Sequence, residues 1–170
     1  MNHRTPFFGA NWKMHKNQRQ AQEFFKNSQT IKWPQNAEVV VFTPSHLLLP
    51  CASQSNLSLG AQNFFFEEQG AYTGEISAWM LAQENIHYAL VGHSERRQIF
   101  KEDFNLIAQK VKVGLNTGLS IILCVGETLK EREENIHFDL IKEQLSSALK
   151  DIDLSQPKNI IIAYEPVWAI

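Results

Sequence analysis

Apolar and polar positions along the chain fall into two periodicities. Six short runs rich in β-branched and aromatic residues, at 6–11, 38–43, 57–63, 88–93, 120–126 and 159–165, read as strands. Between them, apolar residues recur at steps of three and four: Ala21, Phe24, Phe25, Ser28 and Ile31, then Phe104, Ile107, Ala108, Val111 and Leu115, then Ile136, Leu140, Ile141, Leu145, Ala148 and Leu149. Each series makes one apolar stripe on a helix, with Gln, Lys and Glu opposite. Strands alternating with helices call for parallel pairing through right-handed crossovers, and runs apolar throughout predict a sheet covered on both faces. The class is α/β. Helix ends are predicted at Gly114 to Gly118 and at Ser155-Gln156-Pro157, each just before a strand. No repeat, linker or low-complexity segment interrupts the pattern, which predicts a single domain over 1–170.

Polar residues interrupt this pattern in one place in each unit. Asn11 and Lys13, Thr43, Gln62 and Asn63, His93 to Glu95, Glu127 and Glu165 stand at the C-terminal tips of the runs, whereas the starts are bland. Loops at that end build the active site in an α/β barrel. An open doubly wound sheet also binds ligands there, so the pattern leaves both architectures open.

Among these groups Glu165 is the first candidate for chemistry. It closes an apolar strand, and the Pro166 ring restricts its backbone, so the carboxylate is held in place. The alternative is a strand-end salt bridge. His93, in Gly92-His93-Ser94-Glu95-Arg96-Arg97, offers an imidazole to a substrate oxygen, or else serves structure alone. Lys13 is either a solvated lysine or an amine that attracts an anionic substrate; Glu95 either holds Lys13 or faces water. Arg96 and Arg97 are expected on a charged helix surface.

Charge and composition narrow the possibilities further. A net charge of -2, with 16 basic and 18 acidic residues interspersed, leaves no footprint for a nucleic acid or an anionic membrane. Cys51 and Cys124 form no C-x-x-C pair and the six histidines show no metal-binding spacing, so neither a zinc site nor a disulfide framework is expected. The N-terminus lacks a signal-peptide core, and no apolar run approaches a membrane span; a reducing cytoplasm is the expected home. No P-loop or G-x-G-x-x-G occurs, and Gly92-His93-Ser94-Glu95-Arg96 lacks the final glycine of a nucleophile elbow.

Taken together, Asn11-Trp12-Lys13-Met14, Gly60-Ala61-Gln62-Asn63, Gly70-Ala71-Tyr72-Thr73-Gly74-Glu75, Gly92-His93-Ser94-Glu95-Arg96-Arg97 and Tyr164-Glu165-Pro166-Val167-Trp168-Ala169-Ile170 resemble triosephosphate isomerase in order and spacing, over essentially the whole chain. The resemblance implies a homodimeric (β/α)8 TIM barrel that interconverts dihydroxyacetone phosphate and glyceraldehyde 3-phosphate, in glycolysis and gluconeogenesis, without metal or organic cofactor. It implies that Glu165 is the base and that neutral His93 polarises the carbonyl, the pairing for which this family is itself the standard example. Lys13 and Asn11 would bind substrate, with Glu95 beside the lysine and Ser94 in support. Pro166, Val167 and Trp168 resemble the first hinge of a lid, and Thr73 the tip of a dimer loop.

The chain departs from that family in supplying six strands where a closed barrel has eight and typically about 250 residues. It is therefore expected to be an N-terminal portion that stops inside the lid, without the phosphate clamp, and with two exposed strand edges. Little activity is expected of such a chain alone. The competing expectation is a non-catalytic fragment that associates with full-length subunits.

Overall fold

A computed structural model describes residues 5–155 and 159–170. Its six strands are β1 (Phe7–Asn11), β2 (Glu38–Thr43), β3 (Ser58–Ala61), β4 (Tyr88–Val91), β5 (Ser120–Val125) and β6 (Ile160–Tyr164). They form one sheet in the order β1-β2-β3-β4-β5-β6, and every pair is parallel. A doubly wound sheet would reverse its order partway; consecutive order is that of a barrel wall. The strand pattern thus has a single outcome: all C-terminal ends lie along one rim.

The helices are α1 (Gln18–Ser28), α2 (Ser45–Ala52), α3 (Ala78–Gln83), α4 (Ser94–Gln98), α5 (Phe104–Asn116), α6 (Leu129–Glu133) and α7 (His137–Leu149). Local chemistry starts most of them. Asn17 and Thr128 close capping boxes with Gln20 and Glu131, and Ser77 and Asp103 cap α3 and α5 by accepting backbone N–H bonds. Helix α1 ends before Ile31, and α5 continues through Gly114, which is buried against Ile121 and Phe64, to reach Thr117. The second predicted helix end lies largely outside the described residues.

Strand alternation divides the apolar side chains between two sides. Val41, Leu59, Ala61, Ala89, Val91, Ile121, Leu123 and Val125 point outward and form the main core with α1, α2, α3, α5 and α7. Val40, Phe42, Leu90, Ile122 and Cys124 form a smaller inner cluster with Phe7, Tyr88, Ile161 and Ala163 against it. The expectation that every strand is covered on both faces fails at the ends. Phe8 is 56% exposed and Ile162 44%, because β1 and β6 each have a neighbour on one side only.

One ionic cluster ties the wall to its helices. Lys110 on α5, only 2% exposed, donates to Glu102 Oε1 at 2.6 Å and to Asn63 Oδ1 at 2.8 Å. Arg96 on α4 reaches the same Glu102 oxygen at 2.7 Å. Burial pulls the Lys110 ammonium below its ordinary value, and the Glu102 carboxylate opposes that shift. Removing one member strands the others without water. Glu102→Ala is expected to lower stability by about 3 to 5 kcal/mol in urea unfolding, the cost of breaking a buried pair; a loss under about 1 kcal/mol would show that the cluster does not hold α4 and α5.

Candidate active site

At the end of β1 the backbone turns sharply so that Lys13 faces along the rim. Lys13 has φ 53°, a left-handed conformation costly for a lysine, and three hydrogen bonds hold the turn. Asn11 Oδ1 accepts the Lys13 N–H at 2.9 Å, and Gln62 Nε2 donates to both the Lys13 carbonyl at 2.9 Å and the Phe42 carbonyl at 3.0 Å. The Lys13 ammonium then meets Glu95 Oε1 at 2.8 Å. That bond, more than any other influence, holds the Glu95 carboxyl below the usual carboxylate range.

His93 follows β4 and precedes α4, and it is 5% exposed. Its Nδ1 accepts the backbone N–H of Glu95 at 3.2 Å. A nitrogen that accepts carries no proton, so the neutral ring has its proton on Nε2, which faces Glu165 Oε2 at 3.7 Å. That carboxylate oxygen is buried and has no hydrogen-bond partner. Among the described residues no lysine or arginine pairs with Glu165, so a strand-end salt bridge there would need a protonated His93. A cavity of about 310 Å³ is lined by Asn11, Lys13, His93, Tyr164, Glu165 and Pro166, among others. An acceptor, a donor and an ammonium thus converge on one space, while Glu165 retains an unsatisfied oxygen.

The backbone of Glu165 is fixed by the neighbouring strand. Its N–H donates to the Val125 carbonyl at 2.8 Å, and the Val167 N–H donates to the Glu127 carbonyl at 2.9 Å. Glu127, wholly buried, accepts from the Tyr164 hydroxyl at 3.0 and 3.1 Å and from the Trp168 indole at 3.2 Å, with Arg132 at 3.6 Å. Burial is the largest influence on the Glu127 carboxyl and pushes it up. The indole, backbone and hydroxyl donors together with Arg132 outweigh burial and hold it below its ordinary value. Behind Glu165, burial drives the Cys124 thiol far up, with the carboxylate adding to the shift, so Cys124 is an inert neighbour.

Asn11, Lys13, His93, Glu95 and Glu165 are therefore brought together. Ser94 opens α4 and lines a different cavity on the far side of Glu165. Pro166 lies beside the base, while Val167 and Trp168 form a short 3-10 turn with Ala169. Thr73 is exposed on the loop between β3 and α3. Arg96 and Arg97 correct the expectation of a charged surface: Arg96 pairs with Glu102, and Arg97 donates to the Gly92 carbonyl at 2.7 Å and the Cys124 carbonyl at 3.0 Å. Gln62 and Glu127 were legible only as polar strand tips, without the bonds that give them roles.

Six consecutive parallel strands with polar residues gathered on their C-terminal rim define a wall of the (β/α)-barrel class. A sequence model of the family "Triosephosphate isomerase" matches residues 6–170. Curated relatives agree. The chain is 42% identical to triosephosphate isomerase of Clostridium botulinum (strain ATCC 19397 / Type A), over 98% of this chain and 68% of that protein. It is 44% identical to that of Caldanaerobacter subterraneus subsp. tengcongensis, with the same two shares, and 43% to that of Emericella nidulans, over 96% of this chain and 67% of that protein. The chain belongs to the triosephosphate isomerase family.

The Glu127 contacts predict a pH response in the segment around Trp168. A carboxyl held below its ordinary value of 4.5 keeps its bonds above that pH and loses them as pH falls through the lowered value. The part of the tryptophan emission that disappears in Trp168→Phe is expected to stay constant down to that region and change below it. Glu127→Leu should abolish the transition; a transition unchanged in that variant would detach Trp168 from Glu127.

Proposed function

We propose that the protein interconverts dihydroxyacetone phosphate and D-glyceraldehyde 3-phosphate through an enediolate. The observation that carries the reading is the unpartnered Glu165 oxygen 3.7 Å from His93 Nε2, with His93 Nδ1 committed to the Glu95 N–H. A carboxylate without a partner is a base in waiting, and a neutral imidazole that presents N–H is an electrophile for a carbonyl. Glu165 takes the proton from the carbon next to the carbonyl and returns it to the neighbouring carbon, while His93 polarises the carbonyl and moves protons between the two oxygens.

Lys13 supplies the positive charge for an anionic substrate and for the developing oxyanion. Asn11 uses its side-chain oxygen on the Lys13 N–H, which leaves its amide nitrogen to donate to the same substrate oxygen. Such donors contribute typically about 2.7 to 4 kcal/mol at the transition state. Pro166, Val167 and Trp168 act as the hinge of a lid, and Glu95 and Ser94 support Lys13 and His93. The setting is glycolysis and gluconeogenesis in the cytoplasm, with a homodimer in which Thr73 reaches the partner. Among the described residues no helix is long and apolar enough to cross a membrane.

For the 170-residue chain by itself we expect little turnover, since β1 and β6 each have a neighbour on one side only and the wall between them is open. A second reading, a non-catalytic fragment that joins full-length subunits, is favoured by Met14 at 93%, Ile99 at 67% and Phe100 at 60% exposure beside the Glu75 loop. Pull-down against the intact enzyme, with Thr73 altered, separates the two. In a preparation that turns over glyceraldehyde 3-phosphate, Glu165→Asp withdraws the base by about 1 Å and should lower kcat on the order of 100-fold, with KM little changed and the circular dichroism intact. An unchanged kcat would remove Glu165 from the role of base.

A further inference from the structure

We propose that Gln144, on helix α7, is a positioning residue for Glu165 and acts through Gly126. The inference rests on the isomerase reading for what Glu165 does, and on the following contacts for how it is held. Gln144 is only 5% exposed and lies on the face of α7 that also carries Ala148 and Leu140, one turn either side. A polar side chain there is costly unless both of its ends are bonded. Both are bonded to a single residue: Oε1 accepts the Gly126 N–H at 3.0 Å, and Nε2 donates to the Gly126 carbonyl at 2.9 Å.

Gly126 stands between the two carbonyls that hold the lid root. Val125 accepts from the Glu165 N–H, and Glu127 accepts from the Val167 N–H. The strand pleat turns the polar groups of the intervening residue away from β6, where Gln144 meets them. Gly126 also touches Glu165 directly. A Cβ at this position would collide with the Glu165 carbonyl oxygen, so the close approach of the two backbones requires glycine. The amide of Gln144 therefore fixes residues 125–127 from the helix side, and those residues fix the main chain of the base from the strand side.

Space for a misplacement exists. A cavity of about 210 Å³ adjoins this contact and is lined by Gly126, Gln144, Glu165, Val167 and Arg97, among others. Without the Gln144 bonds, the 125–127 segment has room to relax toward the cavity and carry Glu165 with it. The base then sits off its line to the substrate carbon while the ammonium of Lys13 is undisturbed. A displacement of about 1 Å is enough to cost on the order of 100-fold in rate.

The test uses Gln144→Leu, which removes both bonds at similar size, and Gln144→Glu, which keeps the acceptor for the Gly126 N–H but sets an oxygen against the Gly126 carbonyl. Amide hydrogen exchange is followed in the 170-residue chain, and kcat and KM are measured in a preparation with turnover. Expected are faster exchange at Glu165 in both variants and at Gly126 in Gln144→Leu, and a kcat about 10- to 100-fold lower at a KM changed less than about twofold. Glu165 exchange that stays at the unsubstituted rate in both variants overturns the proposal, as does a kcat retained per folded molecule. Coupled exchange at Glu165, with no turnover in any unsubstituted preparation, supports the positioning and overturns the isomerase reading instead.

Discussion

The pairing of β5 with β6 is the constraint on which the site depends. Its register sets Val125 opposite Tyr164, so the next residue of each strand, Gly126 and Glu165, leaves the sheet side by side at the rim. A slip of one residue would turn the Glu165 side chain to the opposite face and away from His93. The register is held by apolar burial on both sides of β5, with Ile121, Leu123 and Val125 packed outward and Ile122 and Cys124 inward. Beyond the strand it is continued by backbone bonds from Glu165 and Val167 and by the Gln144 clamp on Gly126. The outer half of β6 is sparsely covered, which makes this single pairing carry more of the burden than a strand with two neighbours would.

Placement of charge follows a division of labour. The ionisable groups that hold architecture are paired within the protein: Glu102 with Lys110 and Arg96, and Glu127 with Tyr164, Trp168 and Arg132. Glu102 and Glu165 each bury one oxygen without a hydrogen-bond partner, but Glu102 holds Lys110 and Arg96 with its other oxygen, whereas among the described residues no lysine or arginine pairs with Glu165. Such a group costs stability in the resting protein and gains a partner only when substrate or solvent supplies a proton. Lys13 sits between these cases. Its bond to Glu95 orients the ammonium, and the two side chains, 35% and 42% exposed, keep it accessible.

The strands were legible because burial on the wall demands long apolar runs, and the observed ends differ from the expected ones by a residue or two. Helices α1, α5 and α7 were legible for the same reason. Helices α2, α3 and α6 were not, since segments of five to eight residues are too short to display a stripe, and α4 was legible only as a charged helix surface carrying Arg96 and Arg97. The rim residues that line the cavity beside Glu165 stood out as polar groups ending apolar runs. Their supports did not: Gln62 and Arg97 bind backbone carbonyls, and a carbonyl leaves no mark in the sequence. Gln144 corrects the expectation that the glutamines of these helices lie opposite the stripe: it falls four residues from both Leu140 and Ala148 and is buried with its amide bonded to Gly126.

The most direct test of Glu165 as a carbon-acid base is isomerisation in deuterium oxide, with the triose phosphates followed by NMR. Proton transfer through an enediolate predicts carbon-bound deuterium at the position next to the carbonyl, and its loss in Glu165→Gln. Isomerisation with deuterium uptake that persists at the unsubstituted rate in Glu165→Gln would contradict the account.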